Sequence, residues 1–370
     1  MSSGMGRSIL LAVVVMASLS SIEAVAQAPA PTAKPVKAAT ASDDFTALAD
    51  ARRPVALPVK PYGARLEGFD YPFPVRTFRT VAQGQPIEMA YMELAPSRPN
   101  GRTVVLLHGK NFCAATWGDT ARVLAATGYR VIVPDQIGFG KSSKPAGFQY
   151  SLRALAGFTA DLLRSRGLTK VTLVGHSLGG LIAMRLAIDM PQLVDQMVLV
   201  DPLGLTDRLA QGVPYAPIDR LVAIEQRKTP ASMKAYQLEN YYHGVWRRPY
   251  DRWVEMMAGL YAGPGRDAAI DAQARTSEMI ETQPIAYELS RIAAPTVLMV
   301  GTLDRNTFGK GWAPADGTPP ESAATIGDRA ARRMQRGRFM PLPGLGHVPQ
   351  VEDPARFQVA LIQALSGALD

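Results

Sequence analysis

From Thr103 to Leu342 the apolar positions gather into short continuous runs separated by stretches of helical spacing. Thr103–Leu107, Arg130–Pro134, Val171–Val174, Gln196–Val200, Thr296–Val300 and Phe339–Leu342 are too short for helices. They are apolar without alternation, the pattern of parallel strands buried on both faces. Ahead of them, Val75–Val81 and Ile87–Leu94 alternate apolar with polar around Gln83-Gly84-Gln85-Pro86, which predicts an antiparallel hairpin opening the sheet. Behind Ser151, Leu152, Leu155, Phe158 and Leu162 recur at helical spacing, and Ser151 is placed to cap that helix. A helix from about Leu178 to Asp189 follows the Val171 run. Strands alternating with helices predict an α/β fold with a mostly parallel central sheet and helices on both faces.

One gap in this rhythm is long. Between the runs ending at Val200 and starting at Thr296, residues 203–292 show helical pattern and starts such as Thr229-Pro230. A helical insertion between two parallel strands, on the side where they end, predicts a cap over the site. This segment holds seven of the twelve tyrosines and two of the four tryptophans but none of the eleven phenylalanines. Tyr and Trp suit a thin, half-exposed helical layer. They also suit a substrate pocket, for which Asn111, Tyr241, Tyr242, Trp246, Trp253, Met256, Met257 and Tyr261 are the candidates. The expected organisation is a first core part 61–202, the cap 203–292 and a second core part 293–370. An Ala/Pro-rich linker, 27–60, precedes the core.

The candidate chemistry begins at Gly175-His176-Ser177-Leu178-Gly179, a G-x-S-x-G sequence directly after a predicted strand. A turn that sharp brings neighbouring backbone close, so the positions flanking the serine must lack bulk. With its strand and helix, this motif resembles the nucleophile elbow of the α/β-hydrolase superfamily. The resemblance runs from about Phe69 to the C-terminus, and it is to capped serine hydrolases, a group of esterases, C–C hydrolases and proline iminopeptidase-like enzymes. It implies Ser177 as nucleophile and, at the turn after the Thr296 strand, Asp304 as acid, with Asp201 as the alternative. Gly344-Leu345-Gly346-His347-Val348-Pro349 is similar to the family's histidine loop, which makes His347 the general base. The family's oxyanion donors map to the backbone N–H groups of Leu178 and Lys110, with Asn111 as second choice for the latter. A lysine is unusual there, and its side chain is expected to point to solvent or towards an anionic substrate group. His108 is expected to be structural, and His243 an ordinary cap residue.

Serine at the elbow argues against relatives that cleave carbon–halogen bonds or epoxides through aspartate. Carboxylic ester or lactone hydrolysis leads, with C–C, amide or peptide hydrolysis and peroxide-dependent chemistry as rivals. A non-catalytic ligand receptor and a cell-envelope scaffold docked through the linker are the readings from other classes. No cofactor and no metal is expected: the acidic residues show no HExxH or calcium-loop spacing. GFGKS at Gly138–Ser142 is not a phosphate-binding loop, because position 135, where that pattern needs glycine, is Asp. The stretch 307–327 is expected to be a second lid element or a solvated loop.

Composition changes the picture little. The 370 residues are 47% hydrophobic and 19% charged, with a net charge of +8. No basic run with interleaved aromatics supports a nucleic-acid partner; the expected partner is a small-molecule substrate. Arg7, the apolar run Ile9–Met16 and Ala24-Val25-Ala26 predict a secretory signal, 1–26, cut after Ala26 or Ala28, and a periplasmic or secreted enzyme without stable membrane insertion. Cys113 is the single cysteine, so no internal disulfide forms.

Overall fold

The strands are β1 (Val75–Ala82), β2 (Gln85–Leu94), β3 (Thr103–Leu107), β4 (Arg130–Pro134), β5 (Val171–His176), β6 (Val194–Val200), β7 (Thr296–Gly301) and β8 (Gly337–Leu342). They form one sheet in the order β1-β2-β4-β3-β5-β6-β7-β8. β1–β2 and β2–β4 are antiparallel, and every pairing from β4 to β8 is parallel. The opening hairpin is tighter than its sequence suggests. Gln83 (φ 50°) and Gly84 (φ 72°) alone make the turn, both in the left-handed region that suits a two-residue hairpin loop. Gln85 and Pro86 join β2, where Pro86 is tolerated because β2 pairs with β4 only from Tyr91.

The computed structural model describes residues 53–54, 59–309 and 321–367, and all of them belong to one unit, 41–370. The expected signal segment, nearly all of the linker and the middle of 307–327 lie outside the described residues. Among the described residues no helix is long and apolar enough to cross a membrane.

Helices cover both faces. The alternation of β3 shows how: Val105 and Leu107 pack on one side, with α2 (Leu152–Ser165) and α3 (Leu178–Asp189). Val104 and Leu106 pack on the other, with α1 (Gly118–Ala126) and the C-terminal helix α10 (Pro354–Gly367). β3 is buried at all five positions, which explains its unbroken apolar sequence. Ser151 caps α2 by accepting a hydrogen bond from Ala154 N at 3.1 Å.

Between β6 and β7 stand the cap helices α4 (Ile218–Gln226), α5 (Pro230–Asn240), α6 (Asp251–Ala262) and α7 (Arg266–Thr282). Thr229 and Ser232 form a reciprocal capping box at the start of α5, with Pro230 in its first turn. After β7 come α8 (Ala323–Arg333), which packs its Ala330 and Ala331 on the α2–α3 side, and, behind β8, the short α9 (Pro349–Glu352). The stretch ahead of β1 bridges the cap and the sheet: Arg65 pairs with Glu88 of β2 and Tyr71 donates to Asp135, while other residues pack on the cap. Tyr62 N donates to Gly259 O at 2.9 Å, and Leu66 and Phe69 share an apolar cluster with Trp253, Met256 and Met257.

Candidate active site

β5 delivers Ser177 to the N-terminus of α3 in a conformation that side chains avoid, φ 53° and ψ −115°. Two glycines make the turn possible. A Cβ on Gly175 would lie 2.5 Å from Gly179 O, and one on Gly179 would lie 2.2 Å from Leu107 O. Both obstacles are backbone, so neither can swing away. Gly109 serves the same packing from the loop after β3, where a Cβ would meet Ser177 Cβ at 3.1 Å.

Three side chains from three separate loops converge here. His347 Nε2 lies 3.1 Å from Ser177 Oγ, and His347 Nδ1 lies 2.9 Å from Asp304 Oδ2. Asp304 Oδ1 accepts from Asn306 N at 2.7 Å, which turns the carboxylate towards the ring. A carboxylate at Nδ1 assigns the proton to that nitrogen and leaves the Nε2 lone pair for the hydroxyl. Ser177 is 4% exposed and His347 1%, so any substrate reaches them beneath the cap.

The cap grips the histidine loop at two points. Tyr241, at the end of α5, accepts from His347 N through its carbonyl (2.9 Å) and stacks its ring on the imidazole, centroids 5.0 Å apart. His243 Nε2 meets Glu352 Oε1 at 2.7 Å, while Glu352 Oε2 accepts from Gly346 N at 2.6 Å. His243 is thus a bracing residue, remote from the role of a second base.

Asn306 is a site residue that its sequence position does not reveal. Its amide Nδ2 lies 3.2 Å from His347 Nε2, and Tyr236 of α5 donates to its Oδ1 at 3.0 Å. Its place two residues after the acid was the available signal, but an Asn in a turn reads first as turn chemistry.

The side chain of Lys110 departs from expectation. It is buried, donating to Gln273 of α7 and lying 3.8 Å from Glu225 of α4, rather than reaching solvent or a free pocket. Burial lowers its pKa to about 8 despite the pull of Glu225. Burial also works against the Glu225 charge, but Lys110, Lys228 and the Tyr261 hydroxyl outweigh it and hold that carboxyl below its usual range. Asn111, at φ 69°, donates to the Tyr241 hydroxyl at 2.9 Å.

The other candidates sort by packing. His108 is fully buried, with Nε2 accepting from Gln136 N (3.0 Å) and Nδ1 on Gly109 O (2.9 Å), a structural role. Desolvation lowers its pKa and lowers that of His176 much further, so both stay neutral. Asp135 of the GFGKS loop accepts from Ala114 N, Tyr71 Oη and Lys141 N, tying three segments together. Of the aromatic candidates only Tyr241 reaches the site. Tyr242, Trp246, Trp253, Met256, Met257 and Tyr261 pack in an apolar core that the cap shares with Leu66, Phe69, Phe112 and Val348, and Tyr242 and Tyr250 stack there at 3.8 Å. A thin helical layer needs apolar side chains to seat it on the sheet domain, and these are the residues that do so. A cavity of about 190 Å³ lies instead between the loops after β6 and β7, the end of α7 and the start of α8. Asp201, Leu205, Arg208, Asp304, Asn306 and His347 are among its walls. Asp201 stands beside Asp304, not in its place: Asp201 Oδ1 is taken by Gly301 N at 2.8 Å.

This architecture has known counterparts. An uncharacterised protein of Mycobacterium tuberculosis is 42% identical over 107 residues, 29% of this chain and 31% of that protein, so the match spans about a third of that relative. A 2-hydroxy-6-oxo-2,4-heptadienoate hydrolase of Pseudomonas putida is 33% identical over 115 residues, 30% of this chain and 42% of the relative. The crystal structure of a probable hydrolytic enzyme from Pseudomonas aeruginosa superposes with a TM-score of 0.80 at 46% identity, covering 83% of this chain and 99% of that one. The family model described as alpha/beta hydrolase matches residues 104–359, and with the sheet order, elbow and inserted cap it shows that the chain belongs to the alpha/beta hydrolase family.

Proposed function

We propose that this protein is an exported serine hydrolase that cleaves a carboxylic ester or lactone of a small, partly apolar molecule through an acyl-enzyme on Ser177. The observation that carries this reading is the unbroken series Ser177 Oγ, His347 Nε2, His347 Nδ1, Asp304 Oδ2, at 3.1 and 2.9 Å. A serine hydroxyl is a poor nucleophile at neutral pH and needs a base within hydrogen-bond reach. His347 takes the Ser177 proton as the hydroxyl attacks the carbonyl, and Asp304 stabilises the imidazolium that forms. The N–H groups of Leu178 and Lys110 hold the oxyanion, assisted by the N-terminus of α3. His347 then protonates the leaving alcohol and activates the water that hydrolyses the acyl-enzyme. No cofactor enters this scheme.

A second reading, hydrolysis of a C–C bond in a vinylogous ketone with the same three residues, is favoured by the partial likeness to the Pseudomonas putida enzyme. Labelling with a fluorophosphonate, located by peptide mapping, tests the nucleophile; a panel of p-nitrophenyl esters, lactones, aryl amides and 2-hydroxy-6-oxo dienoates separates the bonds. Label on Ser177 with ester turnover supports the first reading. Turnover of dienoates alone supports the second, and absence of both label and turnover overturns each. Export is tested by sequencing the mature chain, which should begin at Gln27 or Pro29.

A further inference from the structure

Asp201 has an oxygen that the structure leaves without an answer. The residue closes β6 at φ 42°, its N–H donates to Met299 O at 2.9 Å, and its Oδ1 accepts from Gly301 N. Its Oδ2 is buried and has no hydrogen-bond partner among the described residues. Asp201, Asp304 and His347 each present an atom within 4.8 Å of the other two. A buried oxygen without a donor is costly, and two adjacent buried carboxylates are costlier still. One added proton removes both costs.

The surroundings decide which carboxyl takes it. Asp304 receives two donors, the His347 ring N–H and Asn306 N. Asp201 receives a single backbone N–H. The charged and titratable groups facing it are Asp304 from the β7 loop, His347 from the β8 loop and Glu352 from α9. Around the shared cavity stand Arg208 and Glu281 of the cap and Glu321 ahead of α8. Acidic groups outnumber the cations in this set.

We propose that Asp201 is carried as the neutral carboxylic acid at neutral pH and donates its proton to Asp304, making it a positioning residue for the carboxylate that orients His347. Burial first, and then the Asp304 charge, push the Asp201 carboxyl well above its usual range, in agreement with that geometry. The role rests on reading Asp304 as the partner of His347. It explains why a second acid stands at the end of β6 without touching the imidazole: it is a donor, a task asparagine can also perform and alanine cannot.

Stability supplies an independent signature. A carboxyl whose folded pKa is raised contributes stability that is complete below its unfolded value, near 3.8, and lost as the pH rises towards the folded value. At pH 7 Asp201 therefore costs stability that Asp201→Asn recovers, whereas at pH 3 the two proteins are equal.

The test is 13C NMR of aspartate carboxyls in the full chain, with wild type, Asp201→Asn and Asp304→Asn compared across pH. One aspartate resonance should remain protonated at pH 7, vanish in Asp201→Asn and titrate at lower pH in Asp304→Asn. A wild type with every aspartate ionised at pH 7 overturns the proposal, whether or not the protein turns over esters. Fluorophosphonate labelling then reads the positioning role. Asp201→Ala should label about a hundredfold more slowly, and Asp201→Asn should restore most of the rate. Equal slowing in both variants would overturn that role, and a wild type that does not label at all would fail the hydrolase reading while leaving the NMR result standing.

Discussion

Ser177 pays for its exposure to substrate in backbone strain. A non-glycine residue at φ 53°, ψ −115° costs on the order of 1–3 kcal/mol, and glycine at that position escapes most of the penalty. Ser177→Gly is therefore expected to raise the unfolding free energy by roughly 1 kcal/mol while lowering ester turnover by about four to six orders of magnitude. Urea titration beside a p-nitrophenyl ester assay checks both; a destabilised variant would show that strain at the elbow is absent. Gly179→Ala acts in the opposite sense. Its Cβ would press on the carbonyls of Leu107 and His108, both backbone, so it should lose stability and labelling together. Residue identities of this kind were readable from the chain, because glycine, serine and histidine at fixed spacing admit few explanations. Asn306 and Asp201 were harder: each depends on a neighbour supplied by a distant loop, and sequence carries no such distances.

The elements reveal a second level of dependence. Lys110 extends from the β3 loop into the cap, where Glu225 and Gln273 bind it, so helices α4 and α7 are tied to the loop whose main chain faces Ser177. Lys110→Met keeps the N–H and removes the tie. It should leave Glu225 with Lys228 and the Tyr261 hydroxyl as its partners and lower kcat/KM by about tenfold or more, since small displacements at a reacting centre are costly. A variant with unchanged kcat/KM would show that the loop holds itself. The stretch before β1 docks on the cap through close backbone contact: a Cβ on Gly263 would fall 1.8 Å from Tyr62 O. Gly263→Val should release that stretch, and limited proteolysis should then cut near residues 59–68 faster than in wild type. Strands were legible to within two residues because the central ones, β3, β5 and β7, are fully buried apolar runs, while the half-exposed β1 and β2 show themselves by alternation. The cap was legible as helices but not as a pocket, since an aromatic that lines a cavity and one that fills a core leave the same mark on a sequence.

For the whole molecule, the buried lysines set the pH response. Burial lowers Lys110 and Lys144 to about 8, against 10.5 for an ordinary lysine. Between those values the unfolded chain holds more protons than the folded one, so stability rises with pH across that window, by roughly 1–3 kcal/mol for each group. Buried tyrosines such as Tyr241 and Tyr242, held well above the usual value of 10.0, reverse the slope above about pH 10. Urea midpoints measured from pH 7 to 11 should therefore pass through a maximum, and Lys110→Met should flatten the rising side. A midpoint that falls steadily from pH 7 would contradict these burials.

The grip of Tyr241 and His243 on the histidine loop joins the lid to the proton acceptor as a single mechanical part. A ligand that lifts the lid should therefore draw the imidazole away from the Ser177 hydroxyl, and slower fluorophosphonate labelling in the presence of a bulky ester would show that coupling.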